Sequence, residues 1–103
     1  MITFLKNILG IGPKVDLGEL IAARAIILDV RTVDEFRSGH IKGSVNIPLQ
    51  NLNNQLSKLK KDKAIITCCA SGSRSSIAKS ILKSNGYTNV HNGGSWINVR
   101  RYI

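Results

Sequence analysis

Cys69, followed by Ala70-Ser71-Gly72-Ser73 and then by Arg74 and Ser75, is the stretch of this 103-residue chain best equipped for nucleophilic chemistry. A thiol attacks as its thiolate, and thiolates form where N–H donors and positive charge converge. The small residues Ala70, Ser71, Gly72 and Ser73 let successive backbone N–H groups turn toward one point. Arg74 adds a permanent positive charge and a fork of donors suited to an oxyanion. A buried cysteine at a strand end is inert packing, but packing alone does not call for such a loop.

The flanking residues indicate how the thiol is positioned. Ala64-Ile65-Ile66-Thr67 reads as a buried strand. Ile77, Ala78, Ile81 and Leu82 recur at helical spacing, with Gly86 as the stop. Cys69 therefore sits between a strand and a helix N-terminus, where unpaired N–H groups and the helix dipole favour an anion.

Further upstream, Asp16 and Glu19 have capping-box spacing ahead of a short helix, and Val15 before them reads as a short edge strand. Ala25-Ile26-Ile27-Leu28-Asp29-Val30 reads as a core strand ending near Asp29. Thr32 and Glu35 repeat the capping-box spacing and open a helix that stops at Gly39. His40 to Pro48 is a turn plus a short strand. Leu49, Leu52, Leu56 and Leu59 share one helical face, and Lys58 to Lys63 read as the solvated end of that helix. Thr88-Asn89-Val90 is the last strand, Gly93-Gly94 a tight turn, and Trp96 to Tyr102 a terminal helix. This alternation predicts an α/β domain over residues 15–103, a small parallel sheet core covered by helices on both faces. In such sheets ligands bind at the carboxyl ends of strands, where Asp29 and Cys69 both fall.

Residues 1–14 are an N-terminal extension, read as a short retained helix docked on the domain. No basic segment precedes its apolar residues and Lys6 interrupts them, so it is not read as a signal peptide, and a cytoplasmic protein is expected. Hydrophobic residues make up 43% and charged residues 20% of the chain, an ordinary globular balance that excludes disorder. No apolar run reaches the ~20 residues of a membrane span.

The net charge of +9 is unevenly placed. No Asp or Glu follows Asp62, whereas Lys63, Arg74, Lys79, Lys83, Arg100 and Arg101 do. The half bearing Cys69 should carry a positive field that attracts small anions. With one Trp, two Tyr and two Phe, and no basic stripe interleaved with stacking residues, nucleic acid is not the expected partner. Cys68 and Cys69 are neighbours, too close for an unstrained disulfide. Cys68 reads as a buried strand residue, with a resolving thiol as the alternative. The two cysteines and two separated histidines have no zinc-ligand spacing, so no metal is expected.

Leu28-Asp29-Val30-Arg31, Glu35-Phe36, the run Gly39-His40-Ile41-Lys42-Gly43-Ser44-Val45-Asn46-Ile47-Pro48, Cys69 to Ser75, Gly93-Gly94 and Trp96 occur in order over about residues 15–98. As a set they resemble a single-domain rhodanese, a sulfurtransferase domain. The resemblance implies a rhodanese-like fold and a double displacement. Cys69 would take the outer sulfur of a small anionic donor such as thiosulfate, hold it as a persulfide, and pass it to cyanide or a thiol. No cofactor is implied, and donor or acceptor could be a protein. Ala70, Ser71, Gly72, Ser73, Arg74 and Ser75 would bind substrate. Asp29 and Arg31 would brace the loop, His40 would belong to a packing motif, and Trp96 would be core or pocket lip. His91 is given no catalytic role.

Two rival readings follow from the same resemblance. Cysteine phosphatases sharing the fold place five residues between Cys and Arg, whereas four stand here, a ring suited to one sulfur atom. The other rival is a persulfide carrier or a binding module for a protein partner.

Overall fold

Three apolar strand segments and the loops at their carboxyl ends set the architecture of the computed structural model, which describes residues 15–103. The expected helix within residues 1–14 lies outside the described residues. Four strands, β1 (Ile26–Asp29), β2 (Val45–Asn46), β3 (Ile65–Cys69) and β4 (Val90–Ser95), form one sheet in the order β2-β1-β3-β4. Every pairing is parallel. Opposite Ile26 stands Ile65, and opposite Asp29 stands Cys68, so Asp29 and Cys69 both fall at the carboxyl ends of the two central strands.

Among the described residues four α-helices precede, connect or follow the strands: α1 (Leu17–Ala22), α2 (Val33–Ser38), α3 (Ser73–Ser84) and α4 (Trp96–Arg100). Asp16 caps α1 by accepting from the Glu19 N–H at 3.2 Å. Thr32 and Glu35 close a full capping box on α2: the Glu35 N–H donates to Thr32 Oγ1 and the Thr32 N–H to Glu35 Oε1. Each satisfies N–H groups that a helix start leaves without partners. Gly86, at φ +89°, follows α3 as its expected stop.

Because side chains alternate across a strand, the sheet carries two separate cores. Leu28, Ile65 and Cys69 pack on one face with Ala78 and Leu82 of α3. Ile27, Ile66 and Cys68 pack on the other with Leu17 of α1 and Val99 of α4. Full burial of a Leu or Ile side chain contributes about 1.5–3 kcal/mol, and Leu28, Ile65, Ile66 and Leu82 are all fully covered. Ile77, on the expected apolar face of α3, is instead half exposed.

Four local readings need correction. Val15 forms no strand; it is exposed and followed at once by the α1 cap. The Leu49–Leu59 segment is not an α-helix but two 3-10 turns, Leu49–Asn54 and Leu56–Lys58. Asn51, Asn53 and Asn54 between the leucines disfavour the α-helix, and a three-residue turn still brings Leu49 and Leu52 to one side. The Tyr87 hydroxyl, 2.8 Å from Leu56 O and 2.9 Å from Leu59 O, holds the carbonyls of this region. Lys60 to Lys63 consequently form a solvated turn rather than a helix end, with Lys61 Nζ over the Tyr87 ring.

Gly93 and Gly94 are likewise not a turn. They lie inside β4, next to an irregularity in its pairing with β3 between Thr67 and Cys69. A Cβ on Gly93 would stand 2.5 Å from Val99 Cγ2 and 2.8 Å from Ile66 Cγ2, so glycine is there for close approach of α4. Among the described residues no helix is long and apolar enough to cross a membrane.

Candidate active site

Cys69 ends β3 on the face covered by α3, and the chain then doubles back over its own sulfur. Gly72, in the left-handed region at φ +115°, makes this turn and caps α3. Its N–H donates to Cys69 Sγ at 2.9 Å and the Ser75 N–H at 3.4 Å; the Ser75 hydroxyl lies 3.6 Å away. Burial raises the pKa of the Cys69 thiol. The Ser75 hydroxyl and the N–H groups of Ser75, Gly72 and Ser71 together outweigh it, and the pKa lies below that of an ordinary thiol. The sulfur is fully covered, so this loop forms a closed cup around one atom.

Ser75 is held from three sides. Its Oγ is 2.9 Å from Gly72 O and 2.7 Å from Asn92 Oδ1, and Asn92 Oδ1 also accepts from the Gly94 N–H at 2.9 Å. Sequence reasoning missed Asn92, because it stands in a strand that the following glycines disguised as a turn. Thr67 adds a buried brace, its hydroxyl donating to Ser75 O at 2.9 Å.

Arg74 does not point at the sulfur. Its guanidinium grips the Glu35 carboxylate, Nη1 to Oε1 at 2.7 Å and Nη2 to Oε2 at 3.0 Å. The bond from Arg74 and the Thr32 N–H hold the Glu35 carboxyl down at about 2. The positive field expected from the second half of the chain is thus locally met by an acid from the first half. Beside this pair lies a cavity of about 270 Å³ lined by Val30, Thr32, Pro48, Leu49, Gln50 and Arg74. It opens at the carboxyl end of β1, where the Val30 N–H donates to Cys68 O and the Leu49 N–H to Val30 O.

Asp29 and Arg31 form the expected pair, and both are buried. Arg31 Nη2 is 2.7 Å and Nε 3.0 Å from Asp29 Oδ2, while Nη2 also donates to Gly39 O and Nη1 to Glu35 O. The Asn46 amide donates to the carbonyls of Asp29 and Arg31. The pair therefore secures the body and the C-terminal end of α2, and it is joined to the cysteine loop through Glu35 and Arg74. Trp96 stacks between the guanidinium groups of Arg31, at 4.6 Å, and Arg100, at 4.8 Å.

The remaining candidates lie away from the cup. His40 pairs with Phe36 O through Nδ1 at 2.8 Å and stacks on the Phe36 ring, a packing arrangement. His91 bonds to Asn89 Oδ1, and burial with nearby Lys79 and Lys83 lowers its pKa. Cys68 faces the opposite core, where burial and the Asp29 charge push its thiol up to about 12. Both cysteines are free thiols. Among the described residues no three His, Cys, Asp or Glu side chains are placed to share a metal ion. What the arrangement offers is one buried cysteine sulfur with a lowered pKa, held under the N–H donors of Gly72 and Ser75.

Comparison with known proteins agrees with this geometry. A family model, the rhodanese-like domain, matches residues 14–95. YqhL of Bacillus subtilis (strain 168) is 38% identical over 69 residues, covering 67% of this chain and 55% of YqhL. The thiosulfate sulfurtransferase PspE of Escherichia coli (strain K12) is 35% identical over 69 residues, 65% of this chain and 66% of PspE. The chain thus spans between half and two thirds of the length of these two relatives. Among solved structures, the human single-domain sulfurtransferase TSTD1 superposes with a TM-score of 0.73 at 28% identity, covering 87% of this chain and 96% of that one.

Proposed function

The chain belongs to the rhodanese-like domain family, a sulfurtransferase family, and from that premise we propose that it moves a sulfane sulfur through a persulfide on Cys69. The Cys69 thiolate attacks the outer sulfur of a donor such as thiosulfate. The donor's S–S bond breaks, sulfite leaves with the electron pair, and Cys69 carries S–S⁻. A thiol or cyanide then attacks the outer sulfur and Cys69 departs as thiolate. The N–H groups of Ser71, Gly72 and Ser75, with the Ser75 hydroxyl, stabilise the anion in both states. Ala70 and Ser73 keep the loop slim enough for those amides to converge, and Arg74, paired with Glu35, carries the cation in the lining of the neighbouring cavity. Because the sulfur is covered, loading requires the Ala70–Gly72 segment to swing aside.

The observation that carries this reading is the ring of N–H donors on one sulfur, closing at 2.9 Å from Gly72. Residues 15–103 form the catalytic unit. Two free thiols suit a reducing compartment, the cytoplasm. Small molecules or a protein can serve as donor and acceptor.

The test is the intact mass of reduced protein after incubation with thiosulfate. One extra sulfur is expected on the wild type, removable by cyanide, and none on Cys69→Ser. An extra sulfur retained by Cys69→Ser would assign the nucleophile elsewhere. No gain with any sulfane donor would leave a binding module.

A further inference from the structure

Resting on that reading, we propose that the site prefers organic sulfur donors of single negative charge to the thiosulfate dianion, with Glu35 as the specificity-determining residue and the Val30–Pro48–Leu49 cavity as the seat of the donor's carbon group. Arg74 is the one cation in the lining of that cavity, and both of its terminal nitrogens are already committed to the Glu35 carboxylate. The pair presents no net charge to an incoming anion. A dianion drawn to Arg74 must either face Glu35 or displace it, and displacement costs Arg74 its two-pronged partner. A single charge is penalised half as much.

The cavity supplies the complementary preference. Val30, Pro48 and Leu49 give it an apolar wall, and Val30 and Leu49 belong to or pack on the same core cluster as Cys69. At about 270 Å³ it suits a ring or short alkyl chain rather than a large cofactor. Thiosulfate has no carbon to place there.

The matching chemistry is a thiosulfonate, R–SO₂–S⁻, or an organic persulfide. With the former, Cys69 Sγ⁻ attacks the outer sulfur and a new S–S bond forms on Cys69. The donor's S–S bond breaks, and RSO₂⁻ leaves with the electron pair. Two negative charges stand on each side, and no outside oxidant or reductant is needed.

The experiment measures kcat/KM for thiosulfate, methanethiosulfonate and benzenethiosulfonate with cyanide as acceptor, in the wild type, Glu35→Gln and Leu49→Asn. The wild type is expected to favour benzenethiosulfonate over methanethiosulfonate by about tenfold, with thiosulfate poorest. Glu35→Gln keeps an oxygen for the Thr32 N–H, so α2 stays capped. In it the thiosulfate to benzenethiosulfonate ratio should rise about fivefold at low salt. Leu49→Asn should instead shrink the benzene to methane ratio and leave the charge preference in place. Ratios within one protein cancel any loss of folded material. Loading of Cys69 with flat ratios, or a Glu35→Gln ratio equal to wild type, overturns the inference alone. Failure of all three donors to load Cys69 overturns the sulfurtransferase reading and the inference with it.

Discussion

Two ion pairs flank α2, and they differ in almost everything but composition. Asp29–Arg31 has side chains 1% and 5% exposed; Glu35–Arg74 has 38% and 32%. The first spends its donors on carbonyls within and just past α2 and sits under Trp96. The second spends them on one carboxylate at the mouth of a cavity. Burial makes the first pair indispensable to the fold, because either partner alone would be a stranded charge. Exposure makes the second adjustable, because water can replace either partner. The difference separates scaffold from specificity.

The sharpest way to break the comparison is Asp29→Ala. Leaving Arg31 buried without its carboxylate should cost about 3–5 kcal/mol, a large share of the 5–15 kcal/mol typical of a domain. A urea midpoint shifted by less than a quarter of the wild-type value would mean Arg31 finds another outlet. Arg31→Lys comes next. Lysine keeps the charge but cannot hold the carboxylate and the Glu35 and Gly39 carbonyls in one plane, so about 2 kcal/mol should be lost. An unchanged melting curve would argue that charge, not the fork, matters.

The smallest effect belongs to Glu35–Arg74, and its sign is set by pH. The Glu35 carboxyl is lowered from its ordinary 4.5 to about 2 in the fold. A lowered acid stabilises the folded state above its unfolded value and loses that contribution as pH falls toward its folded one. Replacing Glu35 by Gln should therefore cost no more than about 1 kcal/mol near neutrality, given the pair's exposure. The gap between variant and wild type should close between about pH 4.5 and pH 2. A gap that persists at pH 2 would locate the effect in the α2 cap instead.

Local chemistry was readable in the sequence wherever one segment decided it. Thr32 with Glu35 announced a capping box, and the box is complete. The strands through Asp29 and Cys69 and the helix after them were legible from apolar spacing and stop residues. What escaped depends on segments meeting in space. Nothing in the capping box tells that the Glu35 carboxylate also serves Arg74, 39 positions later. Nor could Asn92 be matched to Ser75 before the strands were paired. The leucine spacing from Leu49 showed which side faces the core but not the pitch, since periods of three and of nearly four share their first repeats. Gly93-Gly94 misled because a turn and a tight strand–helix contact both demand glycine.

Cys68 and Cys69 are the same chemical group on consecutive residues, yet one thiol sits among aliphatic side chains and the other in a ring of amides. Only the alignment of β3 against β1, Asp29 opposite Cys68, tells them apart. Were the ladder to form one residue out of step, the faces would exchange. The aliphatic pocket would then receive Cys69, and Cys68 would be offered to the loop. A sheet error that most proteins would feel as lost stability would here move the reactive atom to a different address. Fidelity of reaction in this molecule is, at its root, fidelity of folding.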